Sequence, residues 1–215
     1  MEFPARGRIV DLSAEVCPGI LKVSGEYTWG SEVRRCELRQ FRTGTDHTLM
    51  HWFDTETHIG THVEVPAHLF DEGRSCAEMP LETFLGEAVV LRFDHACTIG
   101  PSDFEEVRAG DIVLLWSPAG GPPPAISLEG AQCLAGKPIK MLGVQNVSPD
   151  DPRAYEAGAT VRADTHEELL RKDIPIIEGL VNLETLPQQR VFFMGLPLRV
   201  AHMDSSWIRA VAICP

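Results

Sequence analysis

Three imidazoles and a carboxylate recur in one parity along a short run: His58, His62, Glu64 and His68 within His58-Ile59-Gly60-Thr61-His62-Val63-Glu64-Val65-Pro66-Ala67-His68. Side chains alternate faces along a strand, so an extended segment would project all four from one face. The β-branched Thr61, Val63 and Val65 favour extension, while Gly60 and Pro66 oppose a helical turn. Fully extended, the run would span roughly 33 Å, too far for four groups to surround one ion. Gly60 and Pro66 stand where a bend or strand end would close that distance. Neutral imidazole with carboxylate suits zinc or manganese, and no Cys lies among them to suggest a structural zinc knuckle. A helical zinc-protease pair needs Glu directly after its first His; here that position is Ile59.

The elements that must position these groups belong to a chain of 215 residues, long enough for one domain with a substantial core. A formal charge of −12 argues against nucleic acid or an anionic membrane surface as partner, because no basic patch is available to neutralise phosphates. No apolar run approaches the length of a membrane span, and Met1-Glu2-Phe3-Pro4 lacks the basic-then-apolar start of a secretory signal. The six cysteines (17, 36, 76, 97, 133 and 214) are scattered without a Cys-x-x-Cys pair, which fits free thiols in a reducing cytoplasm.

Strand-like runs cover Arg8–Leu12, Val33–Phe41, His47–Phe53, Ala88–Phe93, Asp111–Trp116, Lys140–Val144, Arg190–Leu196 and Trp207–Ile213. Three of them, Ala88–Phe93, Asp111–Trp116 and Val191–Leu196, are more continuously apolar, as expected of strands covered on both faces. Helices are few and short. Ser102-Asp103-Phe104-Glu105 has capping-box spacing and opens a helix ending before Gly110. Ser127–Leu134, closed by Gly136, and Thr165–Lys172, capped by Asp164 or Thr165 with Leu169 and Leu170 inward, are two more. The turn-rich Ser117–Pro124 reads as a surface loop within a single domain, 1–215. The sum is a sheet-dominated α/β or α+β fold.

A second group of candidates lies downstream. His166 stands at a helix start, and Glu178 follows Ile174, Ile176 and Ile177 and precedes Leu180. An ionised carboxylate beside so much apolar surface is costly unless it is paired or bound to metal.

The pattern His58-x-Gly60-Thr61-His62-x-Glu64-x-Pro66-x-His68 resembles the His-x-Gly-Thr-His-x-Asp-x-Pro-x-His motif of the metal-dependent cyclase family, which includes bacterial kynurenine formamidase and isatin hydrolase. His166 and Glu178, twelve positions apart, match that family's second ligand pair. Weaker matches lie at Asp11-Leu12-Ser13, Gly110–Leu114 and Leu196–Arg199. The resemblance implies a compact β/β/α domain, typically a homodimer or homotetramer, and a site of one or two divalent ions, Zn2+ or Mn2+. By that resemblance His58 and His62 hold one metal, His166 the other, and Glu64 and Glu178 bridge, with His68 as proton donor and acceptor. Three positions depart from the family pattern: Glu64 replaces Asp, Gln145 replaces an acid, and Cys17 stands where an aromatic stacks on substrate. Tyr27 and Trp29, in an expected loop, are further candidates for substrate contact.

The function implied is metal-assisted hydrolysis of an amide, formamide or lactam C–N bond in a small molecule. A Ser-based hydrolase is disfavoured, because no Gly-x-Ser-x-Gly elbow occurs. The competing class is a non-catalytic binding protein of the same family whose metal site is structural, a reading that Glu64 favours.

Overall fold

A computed structural model describes residues 7–17, 19–22, 33–151, 164–187 and 189–214. The chain divides into two compact units, Met1–Ala14 with Gly60–Pro215, and Glu15–Ile59.

The larger unit is built on one nine-stranded sheet. Before the halfway point it uses β1 (Arg8–Asp11), β5 (His62–Glu64) and β6 (Leu85–Arg92). Then come β8 (Ile112–Trp116), β10 (Met141–Gln145) and β11 (Ile176–Glu178), followed by β12 (Arg190–Met194), β13 (Ser205–Trp207) and β14 (Val211–Cys214). A separate pair joins β7 (Thr98–Ile99) to β9 (Ala125–Ile126). The spatial order is β1-β14-β12-β6-β8-β10-β11-β5-β13. Strands β6, β8, β10 and β11 run parallel, and β5 lies antiparallel between β11 and β13.

Both faces of the parallel centre are covered, which is why those strands are continuously apolar. On β8, Ile112 and Leu114 point into a core with Val63, Phe84, Met141, Ile177 and Phe193. Val113 and Leu115 point the other way, onto Phe104, Leu134, Leu142, Leu169, Leu170 and Ile176. The second face is closed by α1 (Leu128–Gly136) and α2 (Asp164–Leu170). Ser127 caps α1 by accepting from the Gly130 N–H at 3.1 Å, and Leu169 and Leu170 of α2 are buried as expected.

Three expectations are corrected. The helix expected from Ser102 is a single 3-10 turn, Pro101–Phe104, in which Asp103 accepts from the Gly100 N–H. The strand expected over Trp207–Ile213 is two strands, β13 and β14, interrupted at residues 208–210. The extended run through His58–His68 is reduced to the three residues of β5, because the chain turns at Gly60 (φ 63°) and enters a 3-10 turn at Pro66–His68. Both breaks fall at the residues whose backbone preferences oppose extension.

The smaller unit is a three-stranded antiparallel sheet of β2 (Gly19–Lys22), β3 (Val33–Arg42) and β4 (Leu49–Thr55), in the order β2-β3-β4. Among the described residues no helix is long and apolar enough to cross a membrane.

Candidate metal centre

Strand β5 carries two of the candidate ligands, and its flanks explain their placement. Thr61 donates its hydroxyl to the Gly179 carbonyl at 2.6 Å and accepts from the Ala14 N–H at 2.8 Å. Gly179 has φ 70°, and a Cβ there would lie 2.3 Å from the Gly60 oxygen. Only glycine permits that approach. The Gly60-Thr61 pair therefore clamps β5 onto the end of β11. The register sets His62 directly opposite Glu178, and Glu64 opposite Ile176, so His62, Glu64 and Glu178 share one face.

His62 is buried, and its Nδ1 lies 3.0 Å from the Gly60 carbonyl oxygen. A carbonyl only accepts, so Nδ1 carries a proton, and Nε2 faces Glu64 Oε1 at 3.4 Å. His166, in the first turns of α2, repeats the arrangement. Its Nδ1 meets Asp150 Oδ2 at 2.5 Å, and the other Asp150 oxygen accepts from the Thr165 N–H at 2.7 Å. Its Nε2 lies 2.9 Å from Glu64 Oε2 and 3.6 Å from Glu178 Oε1. Burial works against a charged His166, but hydrogen bonds to Asp150, Glu178 and Glu64 outweigh it and hold the ring well above the ordinary histidine range.

The arrangement requires a positive charge. Glu64, Glu178 and Asp150 surround two imidazoles, and each imidazole is oriented through Nδ1 so that Nε2 confronts the same Glu64 carboxylate. Lone pair against carboxylate is repulsive unless a cation lies between them, and a proton on His166 supplies the minimum. A divalent ion with nitrogen and oxygen ligands fits the donor set better. Metal-ligating histidines characteristically engage their other ring nitrogen with a carboxylate or carbonyl, as His166 and His62 do. His62, Glu64 and Glu178 each offer an atom, all within 4.8 Å of one another.

His68 ends the 3-10 turn beside this cluster. Its Nε2 lies 4.0 Å from Glu64 Oε1, its Nδ1 lies 3.0 Å from Asp204 Oδ2, and its ring centre is 6.2 Å from that of His166. Its side chain is 30% exposed, which leaves it open to solvent and to an entering molecule.

Five of the candidates, His62, Glu64, His68, His166 and Glu178, are thus brought together from β5, its following turn, α2 and β11. His58 and Cys17 belong to the smaller unit, where Cys17 is exposed. Tyr27 and Trp29 lie outside the described residues. Gln145 is tied into structure: it donates to Glu184 at 2.7 Å and accepts from the Leu183 N–H at 2.7 Å. Sequence reasoning missed Asp150 and Asp204. Both are single acids in irregular segments, and no periodicity marks them.

Residues 10–151 match the Cyclase family model, more than half of the chain. The chain belongs to the cyclase family. Among cyclase-family relatives, the kynurenine formamidase of Erythrobacter litoralis is 27% identical over 97% of this chain and 95% of its own length. That of Salinibacter ruber is 26% identical over 94% of this chain and 96% of its own length. Isatin hydrolase A from Ralstonia solanacearum superposes with a TM-score of 0.76 at 19% identity, covering 97% of this chain and 92% of that one. The sheet-dominated fold expected from the sequence is therefore the fold of these structural relatives.

Proposed function

We propose that this cyclase-family chain is a metal-dependent hydrolase of non-peptide C–N bonds, acting on an amide, formamide or lactam in a small molecule. The observation that carries the reading is the convergence of the His62 and His166 Nε2 atoms on opposite oxygens of one buried carboxylate, Glu64, with His68 beside it. The names of the relatives, kynurenine formamidase and isatin hydrolase, support the substrate class.

The ligand set is His58, His62, Glu64, His166 and Glu178, for one or two ions of zinc or manganese. Glu64 suits a bridging place because each of its oxygens faces a different histidine. When bound, the cation supplies Lewis acidity and lowers the pKa of water towards ~7. The chain's own part is proton traffic. His68 Nε2 accepts a proton as water adds to the carbonyl carbon, then returns it to the leaving nitrogen as the C–N bond breaks. The products are a carboxylic acid and an amine. For a lactam both stay in one molecule. Cys17, Tyr27 and Trp29 are the proposed substrate contacts.

The whole chain, 1–215, serves as one hydrolase domain. Its six free cysteines favour a reducing cytoplasmic setting. A homodimer or homotetramer is supported by the β3–β4 ribbon, which exposes apolar side chains on both faces: Leu38 paired with Phe53 on one, Met50 and Trp52 on the other. A ribbon apolar on both sides has more to bury than a monomer provides.

The test is hydrolysis of N-formyl aryl amines, cyclic imides and isatin-like lactams by protein stripped with chelator and reloaded with zinc or manganese. Turnover restored by reloading is the expected result. Full metal occupancy with no turnover on any of them would replace this reading with the binding-protein alternative.

A further inference from the structure

We propose that Asp204 is the positioning residue for His68, holding its imidazole in the tautomer that turns an unprotonated Nε2 towards the Glu64 cluster. The inference rests on the acid–base role proposed for His68. It adds a residue from the far end of the chain that neither the sequence reading nor the comparisons assign.

The geometry is specific. Asp204 Oδ2 lies 3.0 Å from His68 Nδ1, across 136 residues of sequence. An ionised carboxylate can only accept, so the proton of a neutral ring must sit on Nδ1 and the lone pair on Nε2. That lone pair then lies on the Glu64 side, 4.0 Å from Oε1. With the opposite tautomer, Nδ1 and the carboxylate would repel each other, and Nε2 would carry a hydrogen where the mechanism needs an acceptor.

The backbone holds both partners to one residue. The Val65 N–H donates to the Asp204 carbonyl at 3.0 Å, and the His68 N–H donates to the Val65 carbonyl at 2.8 Å. Acid and imidazole therefore hang from the two sides of Val65, itself fully buried. Two further contacts fix the Asp204 segment: the Cys76 N–H donates to the Met203 carbonyl at 2.9 Å, and Ser205 pairs with Glu64 as β13 begins. The pairing of Asp204 with His68 is thus set by the same strand register that places Glu64. The nearby Cys76 thiol does not compete for the carboxylate as a charged group. Burial, reinforced by the Asp204 charge, pushes it up to about 12.

The decisive experiment uses zinc-loaded full-length protein labelled with 15N-histidine, compared with Asp204→Asn, Asp204→Ala and Asp204→Glu. Ring nitrogen shifts, with His68 assigned through His68→Gln, report the tautomer directly. In the unsubstituted protein Nδ1 should be protonated and Nε2 not. Asp204→Asn should redistribute the tautomers and lower kcat by about 10²–10⁴-fold, with KM, zinc content and circular dichroism unchanged. Asp204→Glu should recover part of kcat. An unchanged tautomer with kcat within about threefold in Asp204→Asn overturns the proposal, and so does a loss of kcat that tracks loss of zinc or of fold. If Asp204→Ala fails to fold, the near-isosteric Asp204→Asn still decides. Full kcat in His68→Gln would instead remove the acid–base role of His68, and the tautomer measurement alone would then judge Asp204.

Discussion

Asp150 touches none of the atoms expected to hold an ion, yet it determines what His166 can do. One of its oxygens takes the ring Nδ1 and the other takes the Thr165 N–H, so ring and helix start are fixed together. Asp150→Ala should therefore weaken zinc affinity by about 10–100-fold while leaving the ligands in place. Competition with a fluorescent chelator measures it, and unchanged affinity would show the contact to be incidental. His166 also makes the metal-free protein sensitive to pH. Its folded pKa is raised above the ordinary histidine value of about 6.5, so protonation stabilises the fold fully below pH 6.5, and that contribution fades as pH rises through the folded value. A cation must displace that proton, so apparent zinc affinity should strengthen with rising pH. Melting temperatures of chelated protein across pH 5–9, against His166→Gln, check the first part; a wild-type curve no steeper than the variant's would contradict it. At this scale the sequence is half legible. The parity of His62 and Glu64 shows in three consecutive positions, because strand alternation is a local rule. Asp150 and Asp204 act through contacts that no local rule encodes in a chain with 31 acids.

The elements show where local preference and tertiary context divided the outcome. Strands β6, β8, β10 and β12 were legible because burial on both faces leaves a long apolar signature. Strand β5 is only three residues long, and its extension was legible from Thr61, Val63 and Val65 although its short length was not. What holds it is the contact between Gly60-Thr61 and Gly179, a feature that connects residues 118 positions apart through the Thr61 hydroxyl. Replacing Thr61 with Val leaves the Ala14 N–H and the Gly179 carbonyl without that partner, at a cost of about 1–3 kcal/mol. Replacing Gly179 with Ala forces a Cβ against the Gly60 oxygen in a backbone conformation that disfavours it. That substitution should cost more than the Thr61 change and lower metal content as well, since β5 and β11 must separate. Thermal denaturation ranks the two, and metal analysis tests the second effect; a stable Gly179→Ala with full metal would show that the clamp is not needed. The expected helix at Ser102 shrank to one turn for a comparable reason. The cap that forms is Asp103 on the Gly100 N–H, not the Ser102 and Glu105 pair expected, and a cap starts a helix without setting its length.

For the molecule as a whole, the exposed ribbon makes the strongest prediction. Trp52 is 69% exposed, the largest exposure among the big apolar side chains of the described residues. If that ribbon joins copies, a Trp52→Glu, Phe53→Glu double variant should sediment as a smaller species than the unsubstituted chain while keeping its metal. A monomeric unsubstituted chain would remove the case for an oligomer. Fold class was readable at this scale because composition and apolar runs average over many residues. The strand order carries one more consequence, and it concerns synthesis. His62 is made 116 residues before Glu178, with His166 between them and β13 later still. At about 5–20 residues per second, roughly 6–23 s separate the first of these side chains from the last. A ribosome-bound chain thus displays isolated histidines that grip ions weakly, and selective loading must wait until β11 has docked. Selection among metals would therefore fall to the finished sheet and not to the emerging peptide.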